Sequence, residues 1–453
     1  MGVKGQMIFN QNSCTITDAM NFPQAAQWIG DRQRGITGEP PCSFLRYPFF
    51  LTAPVKRATF HYDLRRFFHK WLQDLRDGQN QEGAYHDTAP YPSKPPKQKE
   101  FWGLGRFGNA AWADAGIICP WKIYWHYGDK EILRENYEAM SHWMAYQQHT
   151  SKNLIRPRTA YGDWLAIDAV RPECAPVPSD LIGTAYFAQG AALMAKIAKV
   201  LGQESDSRRF AELHQRIVAA FQNAYVTPSG RLVGHCQTAY LFALAFDLLP
   251  PALRPRALAH LVDLIEVRER HLTTGFVGTP LLLPVLSRFG RSDLAYEILL
   301  KEDYPSWLYT VQNGATTMWE RWNSYTKEHG FGPVGMNSFN HYAYGAVGEW
   351  MYSTIGGINA LSPGFKKILF APEPGGGLKF AKTSLLTPHG LTSCHWQIHG
   401  KNLRIEITIP PGATGELKLP NHECHFCIRR PARCPTASPA TCAMPCRTHR
   451  LSG

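Results

Sequence analysis

Between positions 61 and 355 the chain repeats one pattern: apolar residues at helical spacing, a short polar turn, then another such run. In HYDLRRFFHKWLQDLRDG, Leu64, Phe67, Phe68, Trp71, Leu72 and Leu75 share a helical face that ends at Gly78. Helical pairs are then predicted over 110–127 and 130–147, 181–201 and 207–225, 235–248 and 253–266, and 279–289 and 294–301. A last helix is predicted over 342–355. Helix, short turn, helix, with no strand pattern between, indicates stacked helical hairpins. Their period is irregular, which argues against an open solenoid and for a closed toroid. Its longer loops, 156–180, 268–280, 303–327 and 328–341, would gather at one mouth and carry function.

Two stretches break the pattern. Residues 1–60 hold Pro23, Pro40, Pro41, Pro48 and Pro54, which forbid a long helix. From Gly364 onward, FKKILFAP, GLKFAKTSLLT, GLTSCHWQIHG and NLRIEITIPPG alternate apolar and polar residues between Gly and Pro turns, predicting a small antiparallel β-sandwich. The expected division is a barrel over 1–360, a sandwich over 361–420 and an irregular cysteine-rich tail over 421–453.

Composition sharpens this picture only in places. Aromatic residues make up 12% of the 453, a surplus that fits either a large core or a carbohydrate site. The net charge of +12 would suit a nucleic-acid partner, yet the basic residues are scattered and no recognition motif accompanies them. Neither a nucleic-acid nor a membrane partner is expected. No uninterrupted apolar run is long enough for a bilayer, and MGVKGQMIFN lacks a signal-peptide core. Six widely spaced cysteines read as reduced thiols, so a cytoplasmic location is expected. CHFC (424–427) with its neighbouring cysteines matches no standard zinc spacing. No metal and no cofactor are expected.

The candidate chemistry lies in the loops. ATTMWERWNSYT (315–326) sets Glu320 between Trp319 and Trp322, with Arg321 beside it. A carboxylate amid apolar surface is costly unless compensated, so it is either a tethered structural ion or a working acid or base. GMNSFNHYAYGAVGEW adds His341 among amides and phenols, a set suited to hydroxyl recognition as well as to helix capping. AYGDWLAID pairs Asp163 with Trp164, and FGNAAWADAG pairs Trp112 with Asp114. An acid to hold hydroxyls beside an indole to stack is the makeup of a sugar subsite.

The blocks TTGFVGTPLLLPVLSRFG, TTMWERW and MNSFNHYAYGAVGEWMY resemble the α-L-rhamnosidases of glycoside hydrolase family 78. WADAGIICPWKIYWHYGDKEILRENYEAM, YGDWLA and IPPGATGELKLP agree in order and spacing, so the resemblance runs over roughly 18–420. It implies an (α/α)6 barrel with a C-terminal β-sandwich, acting on rhamnose-containing glycosides or polysaccharides with inversion. It also implies Glu320 as general base, with His341, Trp112 and Trp164 around the rhamnose. The early motif of that family matches DAMNFPQAAQWIGD, in which Trp28, Gly30 and Asp31 agree. There the general-acid position falls on Gln24 and its arginine neighbour on Pro23. Asp18 and Asp31 are expected to hold sugar hydroxyls, and Asp31, Glu39 or Glu82 to replace the missing acid. The insert after Asp31, the lack of preceding sandwich domains and the aberrant tail suggest a truncated or altered chain. The alternative reading is a sugar-binding toroid that has lost its activity.

Overall fold

The computed structural model describes residues 7–10, 13–16, 55–91, 107–158, 160–341, 343–400 and 402–419. Asp18, Gln24, Trp28, Asp31, Glu39 and the cysteine-rich tail fall outside this set.

Among the described residues, six helices form an inner ring. They are α1 (Val55–His61), α3 (Ala115–Tyr127), α5 (Ser179–Val200), α7 (Gln237–Ala245), α9 (Thr279–Arg288) and α12 (Val347–Trp350). Each packs on the next, and α12 returns to pack on α1, so the ring closes. Outside it lie α2 (Arg65–Asp77), α4 (Glu131–Thr150), α6 (Glu204–Tyr225), α8 (Arg254–Glu266) and α10 (Ser292–Leu299). A short α11 (Trp307–Gln312) precedes the last inner helix. The sequence pattern gives neither α1, which starts directly after Pro54, nor α11; both are too short to show a period.

Sequence decides which helix lies where. The inner α5 buries residues all round, Leu181, Ile182, Ala185, Phe187 and Leu193 among them. The outer α6 buries only one stripe, Phe210, Leu213, Ile217, Phe221 and Tyr225, at helical spacing. By length and composition α5 could cross a bilayer, but 78% of its apolar window is buried in the toroid. The turn after α3 is closed by Gly128 at φ 74°, the left-handed end that glycine adopts at least cost. The last inner helix is irregular: a 3₁₀ turn (Ala343–Ala346), then α12, then a π turn (Met351–Ile355).

Two sheets follow. β5 (Ile358–Ala360), β6 (Lys367–Phe370) and β10 (Thr414–Leu417) form one. β1 (Met7–Asn10), β2 (Ser13–Ile16), β7 (Phe380–Thr387), β8 (Gly390–His399) and β9 (Asn402–Thr408) form the other. The β7–β8–β9 meander is antiparallel, but β6/β10 and β2/β7 pair in parallel, each across a long intervening stretch of chain. Ile358, Ile368, Phe370, Leu385 and Cys394 make a small core between the sheets, joined by Phe60 and Tyr352 from the barrel. The Trp396 indole N–H donates to the Ile355 carbonyl at 2.7 Å, tying sandwich to barrel. Cys119, Cys174, Cys236 and Cys394 are free thiols.

Candidate active site

Each inner helix from α3 onward starts at the same end of the toroid. The loops before α3, α5, α9 and α12 therefore share one mouth, and the sequence-predicted groups lie on them. Glu320 sits where two of these loops cross. Its N–H donates to the Ser338 carbonyl at 2.9 Å, and the Ser338 N–H donates back to Glu320 Oε2 at 2.9 Å. The His341 N–H donates to the Met318 carbonyl at 2.9 Å, locking the same crossing one step on. A two-strand ribbon, β3 (Tyr325–Thr326) with β4 (Gly330–Phe331), lies between the crossing segments.

The indoles around Glu320 are wall. Trp322 is stacked on Tyr344, with ring centroids 4.1 Å apart and an interplanar angle of 20°, and meets Trp307 edge-on. Trp319 meets Phe339 edge-on at 5.4 Å. Burial raises the Glu320 pKa from the ordinary carboxylate range, while the Ser338 N–H and the Arg321 charge oppose it. Arg321 makes no ion pair with Glu320; its Nε donates to the Met336 carbonyl at 3.0 Å. Glu320 Oε1 takes no hydrogen bond from the described residues. It faces His341 Nε2 at 3.9 Å, beyond hydrogen-bond distance. Burial lowers the His341 pKa to about 3, so this ring is a neutral imidazole beside the carboxylate. Phe276 lies against it at 4.8 Å.

Asp163 was expected to hold a sugar hydroxyl, but its oxygens are engaged within the chain. The Thr238 hydroxyl and the Gly275 N–H donate to Oδ2 at 2.5 and 2.8 Å. The Val277 and Gly278 N–H groups donate to Oδ1 at 3.0 and 3.2 Å. The carboxylate pins the loop before α9, and full burial drives its pKa upward against those four donors. Gly275 makes this approach possible, since a Cβ there would stand 2.4 Å from the Trp164 carbonyl oxygen. Sequence adjacency to Trp164 gave no sign of these partners, which lie 75 to 115 residues away.

Trp112 is 4% exposed and packs on Tyr161 at 4.3 Å, so it is wall rather than open platform. Asp114 takes the Ala111 N–H at 2.8 Å and the Trp143 indole N–H at 3.1 Å. Trp164, half-buried, meets Tyr161 edge-on at 5.8 Å and keeps part of its surface at the mouth. Glu82 is exposed on the loop after α2.

One acid escaped the sequence reading. Asp87 lies in what reads as a Pro- and Lys-rich loop, yet it is buried. Its Oδ2 accepts from Asn109 Nδ2 at 2.6 Å and from the Tyr161 hydroxyl at 3.1 Å, while Oδ1 is buried without a partner. Burial pushes its pKa up to about 7, and that of Asp114 to about 6. A run of contacts thus joins Asp87, Tyr161, Trp164, the Asp163-pinned loop, Phe276, His341 and Glu320 along the mouth.

Comparison with known proteins bears on this arrangement. The family model for the bacterial α-L-rhamnosidase six-hairpin glycosidase domain matches residues 51–355, and that for the bacterial α-L-rhamnosidase C-terminal domain matches 357–425. An α-L-rhamnosidase of Streptomyces avermitilis is 41% identical over 365 residues, covering 80% of this chain and 34% of that protein. One from Formosa agariphila is 42% identical over 369 residues, covering 80% of this chain and 38% of its own length. The solved structure of the Streptomyces avermitilis α-L-rhamnosidase complexed with L-rhamnose superposes with a TM-score of 0.76 at 40% identity, covering 82% of this chain and 34% of that one. The native enzyme from Aspergillus terreus gives 0.75 at 31%, covering 83% and 43%. The chain therefore spans about a third of the length of the curated relatives it matches.

Proposed function

The chain belongs to the bacterial α-L-rhamnosidase six-hairpin glycosidase family, and from that premise we propose that it removes terminal α-L-rhamnose from rhamnosides by inverting, single-displacement hydrolysis. The observation that carries this reading is Glu320: a largely buried carboxylate with one oxygen tethered to Ser338 and the other facing a neutral imidazole. A general base needs that half-satisfied state, ionised and free at one oxygen to take a proton from water. An inverting glycosidase also needs a second carboxyl about 6.5–9.5 Å from the first, to protonate the leaving oxygen. Asp31 is the candidate for that proton or for a hydroxyl contact, with Asp18 and Trp28 as further sugar contacts. Trp164 would stack on the sugar, and His341 would hold a hydroxyl. Asp163 and Trp112 would shape the site from behind, as positioning residues.

A second reading rests on Gln24 at the general-acid position: a toroid that binds rhamnosides without cleaving natural ones. The test is release of 4-nitrophenol from its α-L-rhamnoside, beside Glu320→Gln. This leaving group needs little acid help, so turnover that vanishes in the variant supports hydrolysis with Glu320 as base. NMR of the first-formed sugar should show β-L-rhamnose; an α product would remove the inverting mechanism. No turnover, with tryptophan fluorescence still quenched by rhamnose, would favour the second reading.

A further inference from the structure

Behind the loop that Asp163 pins, the lumen of the toroid holds a cavity of about 520 Å3, within the range of small-molecule sites. Its wall comes from the inward faces of α3, α5, α9 and α12, with Phe246 at the end of α7 and Phe365 before β6. The inner helices begin at the mouth, whereas Lys196, one turn before the end of α5, is exposed at the cavity. Lys196 thus marks where the cavity opens to solvent. The family assignment and the hydrolytic site leave it without a task.

Its chemistry is selective. Trp121 and Trp125 stand one turn apart on α3, with ring centroids 5.7 Å apart and planes inclined by 33°. Tyr186 and Phe246 add a second pair of rings, 5.6 Å apart and edge to face. Against this aromatic surface stand two lysines, Lys122 and Lys196, and one carboxylate, Glu349, whose Oε2 lies 3.9 Å from Lys122 Nζ. Two cations against one anion favour an anionic guest. A bare sugar would bury many hydroxyls, and Gln189 with Glu349 could satisfy few of them. A flat ring uses the indoles fully, and a carboxylate suits the lysines.

We propose that this lumen is a second ligand site, for a planar aromatic carboxylate. The ring lies against Trp121 and Trp125, and the carboxylate is held by Lys122 with Lys196 at the entrance. One short segment separates the cavity from the mouth. Val277 lines the cavity and donates its N–H to Asp163, while its neighbour Phe276 packs on His341.

Calorimetric titration of the whole chain with 4-hydroxycinnamate tests the proposal, independently of any hydrolysis. One molecule should bind per chain, and Lys122→Met should weaken binding roughly tenfold, the usual worth of a charge-assisted hydrogen bond. Glu320→Gln and added L-rhamnose should leave it unchanged. If Lys122→Met does not fold, Lys196→Met at the exposed entrance should still weaken binding, and the uncharged 4-hydroxycinnamyl alcohol should bind the unaltered chain more weakly than the acid. No heat at millimolar ligand, equal affinity for acid and alcohol, or displacement by L-rhamnose would each overturn the proposal.

Discussion

Asp163 and Glu320 are both acids beside tryptophan at one mouth, and the two regions treat them in opposite ways. Around Asp163, four donors converge on two oxygens and the group becomes a rivet between loops. Around Glu320, one oxygen receives a single N–H and the other receives none from the described residues. A saturated carboxylate is structure, because any change of partner leaves buried N–H groups unpaired. An unsaturated one held by its own backbone retains an oxygen for chemistry. The number of donors, rather than the neighbouring indole, separates the two.

Four substitutions would break or sharpen this contrast. The largest effect is expected at Glu320: Glu320→Gln should lower kcat on an aryl rhamnoside by roughly 10²–10⁴-fold with little change in melting temperature. Asp163→Ala should do the reverse, costing roughly 3–5 kcal/mol in denaturant unfolding because three backbone N–H groups and Thr238 lose their acceptor. Equal stability loss in both variants would erase the distinction. Gly275→Ala tests the same rivet from the other side. Its Cβ would meet backbone of residues 163, 164 and 166, so a loss of about 1–3 kcal/mol is expected, again by denaturant unfolding. Smallest should be Trp164→Ala, raising KM several-fold with kcat nearly unchanged, which steady-state kinetics would show.

A pH experiment extends the comparison to Asp87. Its folded pKa of about 7 and that of Asp114, about 6, lie above the ordinary aspartate value. Stability from such groups is present below about pH 4 and is lost as pH rises through 6–7. His341, lowered to about 3, works in the opposite sense: its contribution is present above the ordinary histidine range and fades as pH falls. Thermal unfolding of Asp87→Asn beside the unaltered chain isolates one term. The variant should lose stability less steeply between pH 5 and 8, and parallel curves would show that Asp87 does not titrate there.

The sequence revealed periodic features well and convergent ones poorly. Ser179–Val200 and Glu204–Tyr225 were legible to within a few residues, because their apolar stripes repeat many times. α1 was hidden by its length and by the prolines before it. The crossing at Glu320 and His341 was legible as a place but not as an arrangement. Arg321 compensates Glu320 through its charge alone, with no ion pair, while its Nε reaches the Met336 carbonyl. Asp87 carried no local signal, since Tyr161 and Asn109 come from distant loops. Antiparallel pairing of β7 to β9 followed from alternation and turns, while the parallel pair β6/β10 depends on chain crossing that alternation does not encode.

The contact that shuts the ring, α12 against α1, joins segments almost a barrel's length apart in sequence. A growing polypeptide cannot make it until residues near 350 have left the ribosome. Until then the inner face of α5, built from Leu and Ala, lines an open trough rather than a closed ring. Closure of so long a loop is the late, entropically costly event of assembly. Lesions at the α1–α12 seam should therefore surface as poor yield and aggregation during expression more than as altered chemistry in the molecules that do close.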